Sequence, residues 1–281
     1  MKVLVVDVGG HSVKVGLAGR KGGPVRIPSG EGMTAARMAV EVKKATRSWS
    51  YDVVSIGYPG PVANGRPSRE PANLGRGWTR FDYRQAFGRP VCLVNDAAMQ
   101  ALGSYEGGRM LFMGLGTGLG SALVLEDVIA PLELAHLPYR KGRTYEDYAG
   151  ERGLKRMGPK KWTKHVHAIV EILRHGLQCE YVVLGGGQAK RLASLPRGVV
   201  RGDNAKAIVG GIRLWEEEGP HRRRRGHGGV RTVDTVDLRK RDWAREAPDA
   251  PRGAPVAKPE TGRTVAPPVD ALRPDLSRPP N

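Results

Sequence analysis

Short, densely apolar runs separated by glycine-rich turns dominate most of the chain. The first two runs, residues 2–8 and 13–18, are rich in β-branched residues and predict buried strands joined at a glycine turn. Further strands are predicted at residues 51–58, 91–94, 110–114, 121–125 and 181–184. Apolar residues at helical spacing predict helices at residues 34–46, 81–87, 162–177 and 205–217. Strands that alternate with helices in this way indicate an α/β protein.

Three connecting stretches are predicted to lack regular structure. Residues 20–30 are polar and rich in glycine and proline, and residues 127–131 predict a turn. Residues 63–79 predict a long loop, and a long loop inside a compact domain often carries function. Asn73 in this loop is a candidate for binding a polyol, although a lone loop asparagine is also a common turn residue.

Residues 93–125 place a carboxylate and a glycine-rich loop close together in the sequence. The strand predicted at 91–94 stops at Asn95 and Asp96. After a helical stretch, the strand at 110–114 runs into a loop that contains Gly114, Gly116, Gly118 and Gly120. Transfer of a phosphoryl group to a hydroxyl needs a base for the acceptor and backbone N–H groups for the donor. This stretch is therefore typical of a phosphotransferase.

A second glycine hairpin opens the chain. Gly9 and Gly10 permit positive φ and allow an anion to approach backbone N–H groups closely. Asp7, at the end of the preceding strand, could hold a metal ion through water, and the alternative is a plain tight turn. Two β-rich halves that each offer a glycine hairpin to one cleft suggest a two-lobed phosphotransferase that closes on its substrate.

Other nucleotide-binding signatures are absent from the sequence. There is no GxxxxGK[ST] loop and no HRD or DFG motif of protein kinases. The loop at 114–120 is followed by an apolar strand rather than a helix, which argues against a dinucleotide fold. Residues 185–187 form another glycine-rich turn after a predicted strand.

Charge and composition limit the possible partners. The 281 residues are 40% hydrophobic and carry a net charge of +18, so a globular protein with an anionic partner is expected. No apolar run approaches the length of a membrane helix, and no secretory signal is evident, which predicts a soluble, cytoplasmic protein. Cys92 and Cys179 border apolar runs and are interpreted as buried thiols in a reducing compartment.

The basic residues between positions 138 and 165 have two interpretations. They form either a solvated helix face or a groove for an anion, since they lie near the phosphate loops in sequence. From Gly219 onward apolar periodicity is lost and arginine and proline are frequent, which predicts disorder. This tail is a solvated extension, a nucleic-acid-binding segment or an extension foreign to the fold.

In combination, seven motifs resemble the ROK family of sugar kinases and repressors within the actin-like ATPase superfamily, with the polyphosphate glucokinase branch as the best match. The resemblance covers residues 3 to 217. The motifs are DVGGHSVK (7–14), YPGPV (58–62), PANLGRGW (71–78), VNDAAMQALG (94–103), LGTGLGSAL (115–123), ELAHL (133–137) and VVLGGGQAK (182–190).

The resemblance implies a two-lobed ribonuclease H-like fold with a cleft between the lobes. The implied divisions are an N-terminal lobe at 1–94, a C-terminal lobe at 95–203, a helix at 204–218 that returns to the first lobe, and a disordered tail at 219–281. Asp96 would be the catalytic base. Sugar would be bound by Gly60, Asn73, Asn95, Asp96, Glu133, His136 and Glu146. From the residues alone, a Glu/His pair such as Glu133 and His136 is more often a surface or structural pair.

The resemblance also assigns the donor site. Phosphate or nucleotide would be bound by Asp7, Gly9, Gly10, His11, Ser12, Lys14, Gly116, Thr117, Gly118, Gly120, Gly185, Gly186 and Gly187, with Asp7 near Mg²⁺. Candidates for a polyphosphate groove are Lys155, Arg156, Lys160, Lys161 and Lys164. The donor is either polyphosphate or ATP, and the groove slightly favours polyphosphate.

Two departures from the family pattern matter. The cysteine-rich zinc motif is missing, and residues 138–144 stand in its place, so no zinc is expected. Repressors of the family begin with a helix-turn-helix domain, whereas the first strand here begins at Lys2, which disfavours a DNA-binding repressor.

The expected activity is phosphorylation of glucose at its 6-hydroxyl by a homodimeric, Mg²⁺-dependent enzyme of carbohydrate metabolism. The alternatives are a non-catalytic sugar-binding regulator and a kinase for another hexose or an amino sugar.

Overall fold

The computed structural model describes residues 1–125, 128–203, 205–216 and 231–232. Its strands are β1 (Val3–Val8), β2 (Ser12–Leu17), β3 (Val25–Pro28), β4 (Val53–Tyr58), β5 (Val62–Ala63), β6 (Arg66–Pro67), β7 (Val91–Asn95), β8 (Arg109–Leu115), β9 (Leu119–Leu125), β10 (Val128–Leu132), β11 (Pro138–Arg140), β12 (Arg143–Thr144), β13 (Tyr181–Gly185), β14 (Val199–Arg201) and β15 (Arg231–Thr232). The helices are α1 (Ala35–Ala45), α2 (Tyr83–Phe87), α3 (Asp96–Ser104), α4 (Tyr145–Ala149), α5 (Glu151–Gly176) and α6 (Lys206–Arg213). Short 3-10 helices occur at Leu134–His136 and Gly187–Arg191.

Two sheets share one strand plan. The first has the order β3-β2-β1-β4-β7, and the second contains the order β10-β9-β8-β13-β14, with β15 beside β10. In each sheet three antiparallel strands are followed by two parallel ones. The predicted α/β fold with a repeated plan is confirmed, while the bounds of the two lobes remain a prediction.

The register of the two sheets corresponds residue by residue at the glycine hairpins. Asp7 lies opposite Lys14 on β2 and beside Gly57 on β4. At the equivalent place in the second sheet, Gly114 lies opposite Gly120 on β9 and beside Gly185 on β13. The repeat therefore brings both hairpin tips to the carboxyl end of a parallel strand, where α/β folds place their ligands.

Burial explains why the central strands were evident in the sequence. All six residues of β1 and all six of β4 are buried, so both strands read as continuous apolar runs. Helix α1 begins at Ala35 and is capped by Thr34, whose hydroxyl accepts a hydrogen bond from the Arg37 N–H at 3.2 Å. Its buried face includes Met38 and Val42.

Helix α3 lies between the two sheets. One apolar cluster contains α3 residues such as Ala98 and Leu102, Val5 of the first sheet and Phe112 of the second. Added side chains at Gly103 of α3 or Gly210 of α6 would collide with the backbone of the other helix. Bare backbone contact therefore allows α6 to cross α3 closely.

Helix α6 also covers the first sheet. A Cβ at Gly211 would collide with Val5 of β1, and Ser55 of β4 donates a hydrogen bond of 2.6 Å to the Gly211 carbonyl. The Trp215 indole N–H in turn donates to the Ser55 hydroxyl at 2.9 Å. The last described helix is thus tied to two of the first strands.

Several predicted connections are regular elements. The stretch predicted as a polar connection at 20–30 contains β3, and the predicted turn at 127–131 is wrong because Val128–Leu132 pairs with β9. The long helix begins at Glu151 rather than Trp162 and is interrupted at Gly158, with φ 75°, before Pro159.

The predicted disordered tail at 219–281 lies outside the described residues, apart from β15, which is a strand. Both cysteines are free thiols, with Cys179 buried and Cys92 partly buried. Within the described ranges, no helix is both long and apolar enough to cross a lipid bilayer.

Candidate active site

A cleft of about 590 Å³ opens between the two glycine hairpins. Its walls include the start of α3, the loop residues 71–74 and the 3-10 turn after β10. The predicted site residues that line it are Gly9, Gly10, His11, Ser12, Lys14, Gly60, Asn73, Asn95, Asp96, Gly116, Thr117, Gly118, Gly120, Glu133, His136, Glu146, Gly186 and Gly187. The fold thus brings together residues that are spread over most of the described chain.

Asp96 is the first residue of α3 and is partly buried at the cleft. Desolvation, and then the negative charge of Asp7, raise the pKa of Asp96 to about 7, against a hydrogen bond from the Ala97 N–H and the charge of Lys14. The Ala97 bond to Oδ1 is 2.8 Å long. A carboxylate with this pKa suits a general base at neutral pH.

Asn95 fixes the start of the Asp96 helix. Its Oδ1 accepts the Ala98 N–H at 3.0 Å, which caps α3, and its Nδ2 donates to the Gly60 carbonyl at 3.1 Å. Both groups of the side-chain amide are therefore engaged within the protein. Sequence reasoning assigned Asn95 to the sugar and missed the cap, although an asparagine before a helical run is its usual signal.

Asp7 is buried and ion-paired. Its Oδ2 lies 2.8 Å from Lys14 Nζ, and the carboxylate is 3% exposed. Asp7 itself is not among the residues lining the cleft, whereas Lys14 is. The pair therefore presents its positive end to the cleft, and Lys14 is placed to contact an anion there.

The tip of the first hairpin is held by backbone and hydroxyl groups. The Gly9 N–H donates to the Ser12 carbonyl at 3.1 Å, and the Ser29 hydroxyl donates to the Gly9 carbonyl at 2.6 Å. Gly9 and Gly10 do not have positive φ, so their glycine character serves access rather than backbone conformation. A Cβ at Gly10 would lie 3.7 Å from the Cβ of Asn73, which shows how near the long loop comes.

The second hairpin is braced by α4 and α5. Its Leu119 N–H donates to Glu146 Oε2 at 3.1 Å, and the Glu151 N–H donates to the Gly116 carbonyl at 3.1 Å. A Cβ at Gly118 would collide with the Glu146 carboxylate, whereas the space around Gly116 is open. Gly118 therefore allows Glu146 to reach the hairpin.

The long loop that carries Asn73 is built around Glu70 and Trp78, which sequence reasoning missed. Glu70 accepts hydrogen bonds from the Trp78 N–H at 3.0 Å and from the Thr79 hydroxyl at 2.8 Å. These bonds lower the pKa of Glu70 although desolvation opposes them. Trp78 is fully buried against Tyr58, with ring centroids 5.7 Å apart. This internal scaffold gives Asn73 a defined place at the cleft.

Glu133 and His136 face the cleft from the 3-10 turn after β10. Their Oε2 and Nε2 atoms are 3.5 Å apart, and the side chains are 50% and 73% exposed respectively. Desolvation raises the pKa of Glu133, while His136 and Arg69 act to lower it. The two side chains are therefore free enough to meet a ligand and close enough to share one.

Only part of the third glycine turn, residues 185–187, lies at the cleft. Gly185 ends β13 and does not line the cleft, while Gly186, with φ 83°, and Gly187 do. A Cβ at Gly186 would collide with the backbone of Leu115, so this turn packs directly on the second hairpin. Gln188 and Gln100, neither of which was predicted, line the same part of the cleft.

The five groove candidates on α5 are not among the residues lining the cleft. Lys155 pairs with Glu151 at 2.8 Å, and only Glu151 of the two lines the cleft. Arg156 donates to the Asp147 carbonyl at 2.7 Å and lies over the Tyr148 ring. Lys160, Lys161 and Lys164 are exposed. The groove remains a prediction.

Arg26 is the basic cleft residue that sequence reasoning missed. It lies opposite Lys14 across β2 and β3, so both side chains project from the same face of the sheet. The strand β3 was predicted as a polar connection, so the pairing that aligns Arg26 with Lys14 was not visible. Together they give the cleft a positive wall beside the first hairpin.

The magnesium ion predicted near Asp7 stays a prediction, because Asp7 is buried, paired with Lys14 and absent from the cleft lining. Asp7 and Asp96 are close enough for the charge of Asp7 to raise the pKa of Asp96. Magnesium takes oxygen ligands, keeps several waters and relies on one or two carboxylates plus phosphate oxygens. Among the described residues there is no cluster of three or more His, Cys, Asp or Glu side chains that could hold a metal.

Comparison with solved structures identifies the fold. An inorganic polyphosphate/ATP-glucomannokinase from Arthrobacter sp. strain KM is similar to this chain, with a TM-score of 0.65 and 24% sequence identity. The match covers 75% of this chain and 96% of the glucomannokinase. A ROK family glucokinase from Streptomyces griseus, in complex with glucose and AMPPNP, gives 0.61 and 16% identity over 75% of this chain and 98% of that one. A ROK family transcriptional regulator, a homologue of the E. coli MLC protein, matches with a TM-score of 0.55 and 14% sequence identity. That match covers 75% of this chain and 76% of the regulator.

The chain therefore has the fold of the ROK sugar kinases, which is the actin-like ATPase fold. No protein-family model and no curated protein sequence matches the chain.

Proposed function

We propose that this protein is a ROK family sugar kinase that transfers a phosphoryl group from polyphosphate or ATP to the 6-hydroxyl of glucose. The observation that carries the proposal is Asp96, whose pKa is raised to about 7 at a cleft bounded by two glycine hairpins. A base poised near neutral pH and two backbone cradles are the parts that phosphoryl transfer to an alcohol requires.

In the proposed reaction Asp96 accepts the proton of the sugar hydroxyl. The hydroxyl oxygen forms a bond to the donor phosphorus while the bond from phosphorus to the bridging oxygen breaks. The electron pair of that bond leaves with the shortened donor. Asn95 keeps Asp96 at the first position of α3 through its cap and its bond to Gly60, so the base has a fixed direction.

The transferred phosphoryl group carries charge that the hairpins are suited to stabilise. Gly9, Gly10, Gly116 and Gly118 line the cleft without side chains, so the donor can approach the backbone of both hairpins closely. The N–H groups of Gly9 and Gly116 themselves donate within their hairpins, to the carbonyls of Ser12 and Gly118. Lys14 adds a positive charge. A magnesium ion near Asp7, bound largely through water and the donor's own oxygens, would neutralise charge on the donor phosphates.

The sugar is proposed to lie against the opposite wall of the cleft. Asn73, Glu133, His136 and Glu146 supply the hydrogen-bond donors and acceptors that a polyol requires. The similar proteins include a glucokinase solved with glucose and a glucomannokinase, which supports a hexose as the acceptor. The Gly60 N–H donates to the Tyr58 carbonyl, so Gly60 would meet the sugar through its carbonyl, which accepts one hydrogen bond from Asn95 and has a second lone pair.

The donor is proposed to enter beside Lys14 and Arg26. Two aligned cations on adjacent strands suit a polyanion, and one of the similar proteins is described as using polyphosphate and ATP. The cytoplasmic location, which was expected from the sequence, and the homodimer both remain predictions.

The test is a panel of hexoses crossed with ATP and long-chain polyphosphate, run on the wild type and on Asp96→Asn. The wild type is expected to phosphorylate glucose, with kcat/KM falling below about pH 7 because Asp96 must be deprotonated to accept a proton. Asp96→Asn should lower kcat about a thousandfold while glucose still binds.

Glu106→Gln, just after the end of α3, serves as the control for losing a carboxylate and should behave as the wild type. Glucose binding by the wild type without turnover with either donor would instead support a sugar-binding regulator, and one similar protein is described as a transcriptional regulator. Near-normal turnover by Asp96→Asn would end the proposed mechanism.

A further inference from the structure

A group of four rings, which we name the aromatic clamp, lies behind the sugar side of the cleft. It consists of Tyr139 on β11, Tyr145 and Tyr148 on α4, and His165 on α5. Tyr139 is central: its ring centroid is 5.4 Å from Tyr145, 5.0 Å from Tyr148 and 5.7 Å from His165. The last two contacts are edge-to-face, the arrangement that aromatic quadrupoles favour.

One hydrogen bond fixes the orientation of two rings in the aromatic clamp. The Tyr139 hydroxyl lies 3.2 Å from His165 Nδ1. Desolvation, with the nearby charges of Arg140 and Arg156, lowers the pKa of His165, which favours the neutral ring. With its proton on Nε2, the neutral ring accepts a hydrogen bond from the Tyr139 hydroxyl at Nδ1.

Two arginines close the outside of the clamp. The guanidinium of Arg140 lies 5.3 Å from the Tyr139 ring centroid, and that of Arg156 lies 5.3 Å from the Tyr148 centroid. Arg156 also donates to the Asp147 carbonyl at 2.7 Å. The basic residues in this region therefore brace α4, which accounts for part of the charge density that predicted a groove.

The clamp holds the segment that carries a sugar-side carboxylate. Tyr145 and Asp147 flank Glu146 on the short helix α4. The Tyr145 N–H donates to the Leu137 carbonyl at 3.0 Å, and Asp147 and Thr144 form a capping box. Glu146 then reaches Leu119 in the second hairpin at 3.1 Å. A helix of five residues needs such external support, since an isolated helix of this length is unstable in water.

We infer that Tyr139 and His165 are positioning residues for the sugar site, because they fix α4 and thereby the Glu146 carboxylate against the second hairpin. This inference rests on the proposed function for its link to sugar. Neither residue lines the cleft, so each acts through Glu146 rather than on the substrate. The Tyr139 hydroxyl forms a hydrogen bond with His165, and ring packing alone would not require this bond.

The first test compares Tyr139→Leu with Tyr139→Phe in steady-state kinetics. Tyr139→Leu removes the ring and the hydroxyl, and the KM for glucose should rise about tenfold while the KM for the phosphoryl donor stays near the wild-type value. Tyr139→Phe keeps the ring contacts and should give a smaller rise. Tyr181→Phe, which removes a hydroxyl that accepts the Glu106 N–H elsewhere, is the matched control and should leave both constants unchanged.

The second test needs no substrate. Amide hydrogen exchange in the free protein should become faster at Leu119 and Tyr145 in Tyr139→Leu and in His165→Ala, while amides of β1 keep their protection. Unchanged exchange at these two amides would overturn the inference. So would a glucose KM that does not move, or a donor KM that rises equally. A wild type that phosphorylates no hexose would end the proposed function, and the exchange result would still decide whether the clamp positions Glu146.

Discussion

The two glycine hairpins occupy equivalent places in the two sheets and yet carry different groups. In the first, the residues opposite each other below the tip are Asp7 and Lys14, which form an ion pair of 2.8 Å. In the second they are Gly114 and Gly120. The same frame thus holds fixed charge on one side of the cleft and bare backbone on the other.

The difference follows from what packs behind each hairpin. Gly120 faces the start of α3, and a Cβ there would lie only 3.1 Å from the Ala97 Cβ. A charged side chain would push α3, and with it Asp96, away from the second hairpin. At the first hairpin Lys14 has room to reach the cleft, so charge is tolerated there. A repeated topology therefore sets where a site forms, and the contacts behind each copy decide its chemistry.

Removal of the charge in the first hairpin should give the largest effect on stability. Lys14→Met leaves the buried Asp7 carboxylate without its partner, and the free energy of unfolding should fall by about 3 kcal/mol. Chemical denaturation measures this change. Lys160→Met removes an exposed lysine on α5 and should change stability by less than about 0.5 kcal/mol.

The double variant Asp7→Asn with Lys14→Met sharpens this prediction. It should recover part of the lost stability because no unpaired charge remains in the sheet. If Lys14→Met alone were as stable as the wild type, the first hairpin would not depend on its ion pair, and the contrast with the second hairpin would lose its basis.

Substitutions at two glycines of the second hairpin should affect the two substrates differently, one raising the KM for glucose and the other the KM for the donor. Gly118→Ala forces the Glu146 carboxylate to move, and the KM for glucose should rise about tenfold. Gly116→Ala meets open space, so it should spare the glucose KM and raise the donor KM, because the new methyl group covers a backbone amide. Steady-state kinetics with each substrate varied in turn decide the matter. Equal effects of both variants on the glucose KM would contradict this division.

The smallest effect should come from the positive wall beside the first hairpin. Arg26→Ala removes one exposed cation, and the donor KM should rise about threefold at low salt and less at high salt. The paired variant Lys160→Ala with Lys161→Ala should leave the donor KM unchanged. A rise in the donor KM in the Lys160/Lys161 variant, with no rise in Arg26→Ala, would instead support a polyphosphate groove on α5.

The sequence revealed the parts of the fold that are apolar on both faces. Strands β1 and β4 are buried along their whole length, so their composition alone marked them. Strand β3 buries only Ile27 and follows glycines and a proline, and β10 contains Pro131. Strands β3 and β10 form because neighbouring strands pair with them, and the local sequence pattern does not show which strands will pair.

The candidate site shows the same limit. Asp96 and the glycines were found because strand ends and glycine clusters are visible in one dimension. Arg26 was missed because its alignment with Lys14 depends on β3. The basic residues of α5 were visible as a density of charge, whereas the direction of each side chain depends on how the kinked helix packs. Charge density alone could not separate a cleft wall from a solvated face.

The crossing of α6 over β1 has a consequence for how the protein matures on the ribosome. Val5 is synthesised about two hundred residues before the helix that buries it against Gly211. Ser55 likewise waits for the Gly211 carbonyl and the Trp215 indole. The first sheet is therefore covered only after α6 has been made, and a nascent chain that stalls before α6 exposes that apolar surface to chaperones.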